Sequence, residues 1–156
     1  LQRELSLATV VIAHDLAVVR EVSDRVVVMY LGRVVEEGPV HALYTAPRHP
    51  YTRALLQAAP IPDPVIERRR DRPATQFEIP APWNLPPGCP YRQRCAHATD
   101  TCAASLPELH VLDGDAARRV ACHHAETLAL GAPDYGDLGP SGVGTGAPLT
   151  VSSPPE

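Results

Sequence analysis

The chain of 156 residues contains no lysine, because all 14 of its basic residues are arginine. Within this chain, that absence excludes chemistry that needs a lysine amine, such as a Schiff base or the lysine of a phosphate-binding P-loop. Aromatic residues make up only 4% of the chain, and its single methionine, Met29, lies inside an apolar run. The chain starts at Leu1 rather than at a methionine, so we expect it to be a fragment of a longer protein.

Long apolar runs are also absent. The best run, at residues 26–31, falls far short of the roughly 20 residues that a membrane-spanning helix requires. Residues 1–7 lack the apolar core and the small-residue cleavage site of a secretory signal, which makes the cytoplasm the default compartment. We therefore expect no membrane span in this chain.

Basic charge is not in excess anywhere along the chain. Residues 1–62, 63–126 and 127–156 carry formal charges of 0, -1 and -3, within a total of -4. Nucleic-acid binding requires a surplus of positive charge to displace counterions. We therefore predict no nucleic-acid partner.

Two continuous β-branched runs dominate the start of the chain, at residues 9–13 (TVVIA) and 26–30 (VVVMY). Such runs are typical of strands that are buried on both faces of a sheet. Between them, Asp15 can cap a helix over residues 16–22. Gly32 then predicts a tight turn with a positive φ into a second hairpin strand, so this region is predicted to be α/β.

Prolines divide the rest of the chain. A short helix that starts at Pro39 must end before Pro47, and another helix begins at Pro50 and ends at Pro60. Eight prolines between residues 60 and 88 exclude a long regular element there.

The composition therefore predicts four segments. They are an α/β segment at residues 1–45, a helix and Pro-rich linker at residues 46–88, a cysteine-rich extension at residues 89–126, and a disordered tail at residues 127–156. Glu36 and Glu37 are predicted to form a solvated strand end.

The four cysteines follow the spacing Cys89-x5-Cys95-x6-Cys102-x19-Cys122. Few large apolar residues surround them, so we expect something other than hydrophobic burial to organise this segment. A reducing cytoplasm disfavours disulfides. Structural zinc usually shows gaps of two to four residues between paired cysteines. An iron–sulfur cluster accepts wider spacings, so spacing alone leaves both open, with possible substitute zinc ligands at His97, His110, His123 and His124.

His14 directly follows the run at residues 9–13. Ligands of parallel α/β sheets bind beyond the carboxyl ends of the strands, so a histidine there can present a ring N–H to an anion. The longer pattern resembles the carboxyl-terminal part of an ABC transporter ATPase subunit, through VIAHDL at residues 11–16, SDRV at 23–26 and VMYLGRVVEEG at 28–38. The resemblance implies that His14 is the switch-loop histidine, a catalytic and ATP-binding residue that contacts the γ-phosphate. Ala13 stands where the family more often has threonine.

The segment PRHPYTRALL at residues 47–56 is similar to the one that follows the ATPase core in dipeptide and oligopeptide importers. The resemblance covers residues 1–126 and implies the end of a P-loop ABC ATPase core followed by a small irregular extension. ATP and magnesium would be held mostly by the Walker A, Walker B and signature motifs, which this chain lacks. The fragment alone would therefore be inactive.

The same resemblance implies a place in the cell and partners. The subunit would lie at the cytoplasmic face of the membrane, paired with a second ATPase subunit as a homo- or heterodimer and bound to transmembrane permease subunits. It would power the import of peptides or related small solutes. Whether the solute is a dipeptide, an oligopeptide or a metal chelate stays open.

In these importer ATPases the carboxyl-terminal extension has the same Cys-Pro-aromatic start and order of four cysteines, and in some members it holds a [4Fe–4S] cluster. The resemblance therefore implies that Cys89, Cys95, Cys102 and Cys122 ligate a cluster as thiolates. The alternative, from a different class of protein, is a zinc-binding protein-interaction module.

Overall fold

The computed structural model describes residue 5, residues 7–59, residue 68 and residues 87–131. In this part of the chain the strands form one antiparallel sheet in the order β1-β2-β4-β3. The strands are β1 (Arg25–Tyr30), β2 (Arg33–Pro39), β3 (His110–Leu112) and β4 (Asp115–Val120). The helices are α1 (Leu16–Val22), α2 (Val40–Thr45), α3 (Pro50–Ala58) and α4 (Asp100–Ala104), with a 3-10 turn at Arg92–Arg94. The predicted α/β class is confirmed, and the sheet is antiparallel.

The predicted strand at residues 9–13 is wrong. These residues form no strand, and Val10 and Ile12 are 95% and 99% exposed. A strand needs a neighbour that bonds its backbone groups. The sheet ends at β1, whose free edge has no strand beside it among the described residues, so the run stays irregular.

The strand β1 forms where it was predicted, but only one of its faces is buried. Val28 and Tyr30 are buried, whereas Val27 and Met29 are about half exposed. This alternation is typical of an antiparallel sheet that is covered on one side. The prediction of burial on both faces is therefore corrected.

Local signals predicted the neighbouring elements well. Asp15 caps α1 by accepting hydrogen bonds from the backbone N–H groups of Ala17 and Val18. The hairpin between β1 and β2 turns at Leu31 and Gly32, with φ of +48° and +77°, and two such residues form the turn that fits the twist of paired strands. The helix α3 begins at Pro50, as predicted.

The cysteine segment contributes to the same sheet as the first segment. The strand β4 pairs with β2, with Glu36 opposite Val120 and Glu37 opposite Arg119. The predicted extension therefore contains regular structure, namely α4, β3 and β4. Leu130 is buried at the end of the described residues, whereas most of the predicted linker and of the predicted tail lies outside them.

A buried ion pair joins the two segments. The Arg118 guanidinium donates to the Glu36 carboxylate at 2.7 Å, and the two side chains are only 5% and 0% exposed. Arg118 also donates to the carbonyl of Ala46 at 2.7 Å. Gly38 leaves room for this arrangement, because a Cβ there would lie 2.9 Å from the Arg118 Cγ. The predicted solvated position of Glu36 is therefore wrong.

None of the described helices has the length and apolar character that crossing a membrane would require.

We predict that Arg118→Met destabilises the protein by about 3–5 kcal/mol, because it leaves the Glu36 carboxylate buried without its cation. The free energy of unfolding from denaturant titration measures this loss. Arg119→Met is the matched control, since Arg119 pairs with Glu37 across the same two strands but is 47% exposed. Such an exposed pair contributes less than about 1 kcal/mol. Equal losses in the two variants would contradict the assignment.

Candidate metal centre at the four cysteines

The four predicted cysteines line one cavity, although they come from different elements. Cys89 follows the turn at Gly88, Cys95 follows the 3-10 turn, Cys102 lies in α4, and Cys122 follows β4. All four are free thiols, of which three are buried and Cys95 is half-buried. The fold thus brings together the residues that were predicted to act together, while their role as ligands stays a prediction.

Backbone N–H groups lie near three of the sulfur atoms. Cys122 Sγ accepts a hydrogen bond from the N–H of His124 at 3.4 Å, two residues further along the chain. The N–H group of His97 opposes the increase in the pKa of Cys95 that burial causes, and those of Tyr91 and Arg92 do the same for Cys89. Hydrogen bonding to the charged form stabilises a thiolate.

Burial works against ionisation of the same thiols. It raises the pKa values of Cys89, Cys95 and Cys122, the last to about 11, and negative charge on the neighbouring thiols raises them further. The N–H groups oppose this increase but do not cancel it. Several thiolates therefore coexist in this cavity only when a cationic group compensates their charge, and binding such a group releases protons.

Gly88 allows the first cysteine to lie against the third. Its φ is +78°, and a Cβ at this position would approach the carbonyl oxygen of Ala103 to 2.6 Å. The N–H of Cys89 donates to the carbonyl of Cys102 at 2.8 Å. Only glycine satisfies both the backbone conformation and the close approach. The sequence analysis did not identify this residue, although a glycine directly before Cys89-Pro90 was a usable signal.

His49 also lines the cavity. Both oxygens of the Glu36 carboxylate accept backbone N–H groups, one from Arg48 and one from His49, each at 2.9 Å. The His49 Nδ1 accepts from the N–H of Tyr51 at 3.0 Å, so its proton sits on Nε2. Burial lowers the pKa of His49 to about 4. The ring is therefore neutral near pH 7.

The rings of three tyrosines pack beside His49. Tyr30 from β1, Tyr51 from α3 and Tyr91 from the cysteine segment contact one another with centroids 4.7–5.4 Å apart. Edge-to-face arrangements of this kind add stability beyond the buried area. The cavity thus rests on the same core as the hairpin and α3.

His14 lies apart from this centre. It is exposed in a bend just before α1, and it does not line the cysteine cavity. The structure therefore does not bring the predicted switch histidine and the predicted cysteine ligands together.

Comparison with known proteins finds similarity to one class. Residues 35–102 match the family described as the C-terminal region of oligopeptide/dipeptide transporters. This match covers most of the hairpin strand β2, the helix α3 and three of the four cysteines. The resemblance to this class of transporter is thereby confirmed over these residues.

Individual relatives are ATP-binding subunits of such transporters. The chain is 51% identical to the di/tripeptide transport ATP-binding protein DppF of Pseudomonas aeruginosa, over 81% of this chain and 38% of that protein. It is 48% identical to the oligopeptide transport ATP-binding protein OppF of Salmonella typhimurium, over 82% and 37%. For the putative oligopeptide transport ATP-binding protein YkfD of Bacillus subtilis the identity is 46%, over 81% and 39%. The chain spans less than two fifths of the length of these relatives.

We predict that Gly88→Ala is more destabilising than Gly114→Ala, measured as the free energy of unfolding. Both glycines have a positive φ, but nothing lies within 4 Å of a Cβ at Gly114. Gly114→Ala therefore costs only the strain of the left-handed conformation, about 1–2 kcal/mol. Gly88→Ala adds a clash with α4 that costs about a further 1–3 kcal/mol. Hydrogen exchange at the Cys89 amide is expected to accelerate only in Gly88→Ala, and unchanged protection there would refute the close-approach argument.

Proposed function

We propose that this chain is the carboxyl-terminal part of the ATP-hydrolysing subunit of an ABC importer for peptides or related small solutes. The observation that carries the proposal is the match of residues 35–102 to the transporter C-terminal region, together with about 50% identity to peptide-transport ATP-binding proteins. In this proposal the subunit works at the cytoplasmic face of the membrane. It pairs with a second ATPase subunit and couples ATP hydrolysis to transport through the permease subunits.

His14 is the catalytic contribution of this chain under the proposal. Its exposure leaves the ring free to meet the γ-phosphate of an ATP that is bound with magnesium by residues outside this chain. The N-cap at Asp15 holds the start of α1 directly beside it. An exposed histidine in this position supports no part of the described core, which favours a role toward a ligand.

We expect His14→Ala in the complete subunit to reduce transport-coupled ATP hydrolysis by at least about 100-fold, because the lost contact is made to the reacting phosphate. Steady-state phosphate release from the assembled transporter measures the loss. His41→Ala is the control, since His41 is also exposed but lies in α2. Retained hydrolysis in His14→Ala would remove the switch-histidine assignment while leaving the family membership intact.

We further propose that Cys89, Cys95, Cys102 and Cys122 hold a [4Fe–4S] cluster. The donor set supports this: four cysteines line one cavity, no carboxylate of the described residues lines it, and the N–H of His124 donates to Cys122 Sγ. A buried Arg92 nitrogen without a protein partner also lies in a residue that lines the cavity. When bound, a cluster supplies a compact cationic iron core that links four chain segments and accepts one electron.

A single zinc ion is the alternative occupant. In residues 7–59 and 87–131, no group of three or more Cys, His, Asp or Glu side chains is arranged to hold a metal ion, and this applies to zinc and to a cluster alike. His124 Nε2 lies 3.7 Å from Cys102 Sγ, and structural zinc accepts mixed sets of cysteine and histidine ligands. The zinc-binding interaction module therefore remains the second candidate, favoured by the nearby histidines.

The metal content of anaerobically purified protein tests the cluster. We expect about four iron and four sulfide per chain in the wild type, and loss of both in Cys95→Ser, because serine does not replace a thiolate at this site. Ala121→Ser is the control, since Ala121 is as buried as Cys122 and adjacent to it but does not line the cavity. Stoichiometric zinc without iron would favour the zinc module, and a metal-free protein would exclude both.

A further inference from the structure

Arg92 is the charged side chain of the cysteine cavity. It begins the 3-10 turn that separates Cys89 from Cys95, and its backbone N–H donates to the carbonyl of Cys89 at 3.1 Å. This bond fixes the backbone of Arg92 against that of Cys89. The cavity wall contains no other arginine and no aspartate or glutamate among the described residues. Arg92 therefore lines the cavity without an opposing carboxylate in its wall.

One nitrogen of this guanidinium is buried without a partner. Arg92 Nη1 makes no hydrogen bond among the described residues, although it is shielded from water. A buried donor on a charged group is costly to leave unpaired. Arg92 lines the same cavity as Cys89 and Cys95, so the residue that carries this unpaired donor lies beside two of the proposed ligands.

A cluster bound by four thiolates is anionic and becomes more so when it accepts an electron. A nearby positive charge stabilises the reduced form more than the oxidised form. Net charge and hydrogen bonds to the sulfurs are the main protein influences on the reduction potential of such clusters. Histidines also line this wall. His49 is buried, and its lowered pKa keeps it neutral near pH 7. The others are His97, His123 and His124.

We infer that Arg92 is the residue of this chain that sets the reduction potential of the bound cluster, through its charge and through its buried, unpaired Nη1–H. This inference rests on the proposed [4Fe–4S] cluster. Arg92 acts on the cluster and not as a ligand. Its substitution is therefore expected to move the potential while the iron content stays unchanged.

Arg94 provides a matched control within the same turn. It carries the same charge two residues further along, and it also has a buried nitrogen without a partner among the described residues. It does not line the cavity, and its charge acts instead on Tyr51 and Tyr91, where it opposes the increase in pKa caused by burial. A general effect of removing an arginine from this turn would therefore appear equally in Arg94 variants.

The test is a dithionite titration of the complete, anaerobically purified subunit, followed by the visible absorbance and by the electron paramagnetic resonance signal of the reduced cluster. In Arg92→Gln we expect the equilibrium constant for one-electron reduction to fall at least about tenfold, which is about 59 mV toward more negative potential. Arg92→Lys keeps the charge and is expected to stay within about threefold of the wild type. Arg94→Gln is expected to do the same.

Each outcome of the titration either supports or overturns the inference about Arg92. Equal potentials in Arg92→Gln and Arg94→Gln would overturn the inference while leaving the cluster in place. Loss of the cluster in Arg92→Gln but not in Arg92→Lys or Arg94→Gln would support it, because the charge would then be needed to hold the anion. Loss in both Arg92 variants would overturn a role of the charge. A wild-type subunit without iron would overturn the proposed cluster and this inference together.

Discussion

The arrangement of the described residues depends on the buried carboxylate of Glu36. One oxygen accepts from the Arg118 guanidinium and from the N–H of Arg48, and the other accepts from the N–H of His49. This single group therefore joins the hairpin, the loop that starts α3, and the strand β4. A carboxylate that is fully removed from water persists only when its acceptor sites are filled in this way. The cysteine segment is consequently attached to the hairpin through a polar contact as well as through the sheet.

His49 and Tyr91, whose rings are in contact, both line the cysteine cavity. Burial determines how readily the thiols in this cavity ionise. Thiols there resist ionisation, and their mutual charge adds to that resistance. Under the proposed function, a cationic iron core would relieve both effects and link four segments that have few large apolar residues of their own. In this proposal, the cluster and the Glu36 ion pair would therefore stabilise the extension together, the ion pair through Arg118 in β4 and the cluster through Cys122 just after it.

Sequence patterns predicted the elements that local chemistry determines. The cap at Asp15, the turn at Gly32 and the start of α3 at Pro50 all depend on residues adjacent in the chain, and all three are confirmed. The strand at residues 9–13 failed because a strand also depends on a neighbour, which hydrophobicity does not reveal. The four cysteines were grouped correctly because their residue type restricts the possible chemistry.

The buried position of Glu36 was not predictable from its own neighbourhood, because its partner Arg118 is 82 residues away.

The central claim is that the four cysteines hold a [4Fe–4S] cluster in the folded subunit. A Mössbauer spectrum of protein grown on iron-57 and purified anaerobically tests it most directly. The account predicts one diamagnetic signal in which all irons have sulfur ligands. A spectrum containing only high-spin iron with nitrogen or oxygen ligands, or no bound iron, would contradict it.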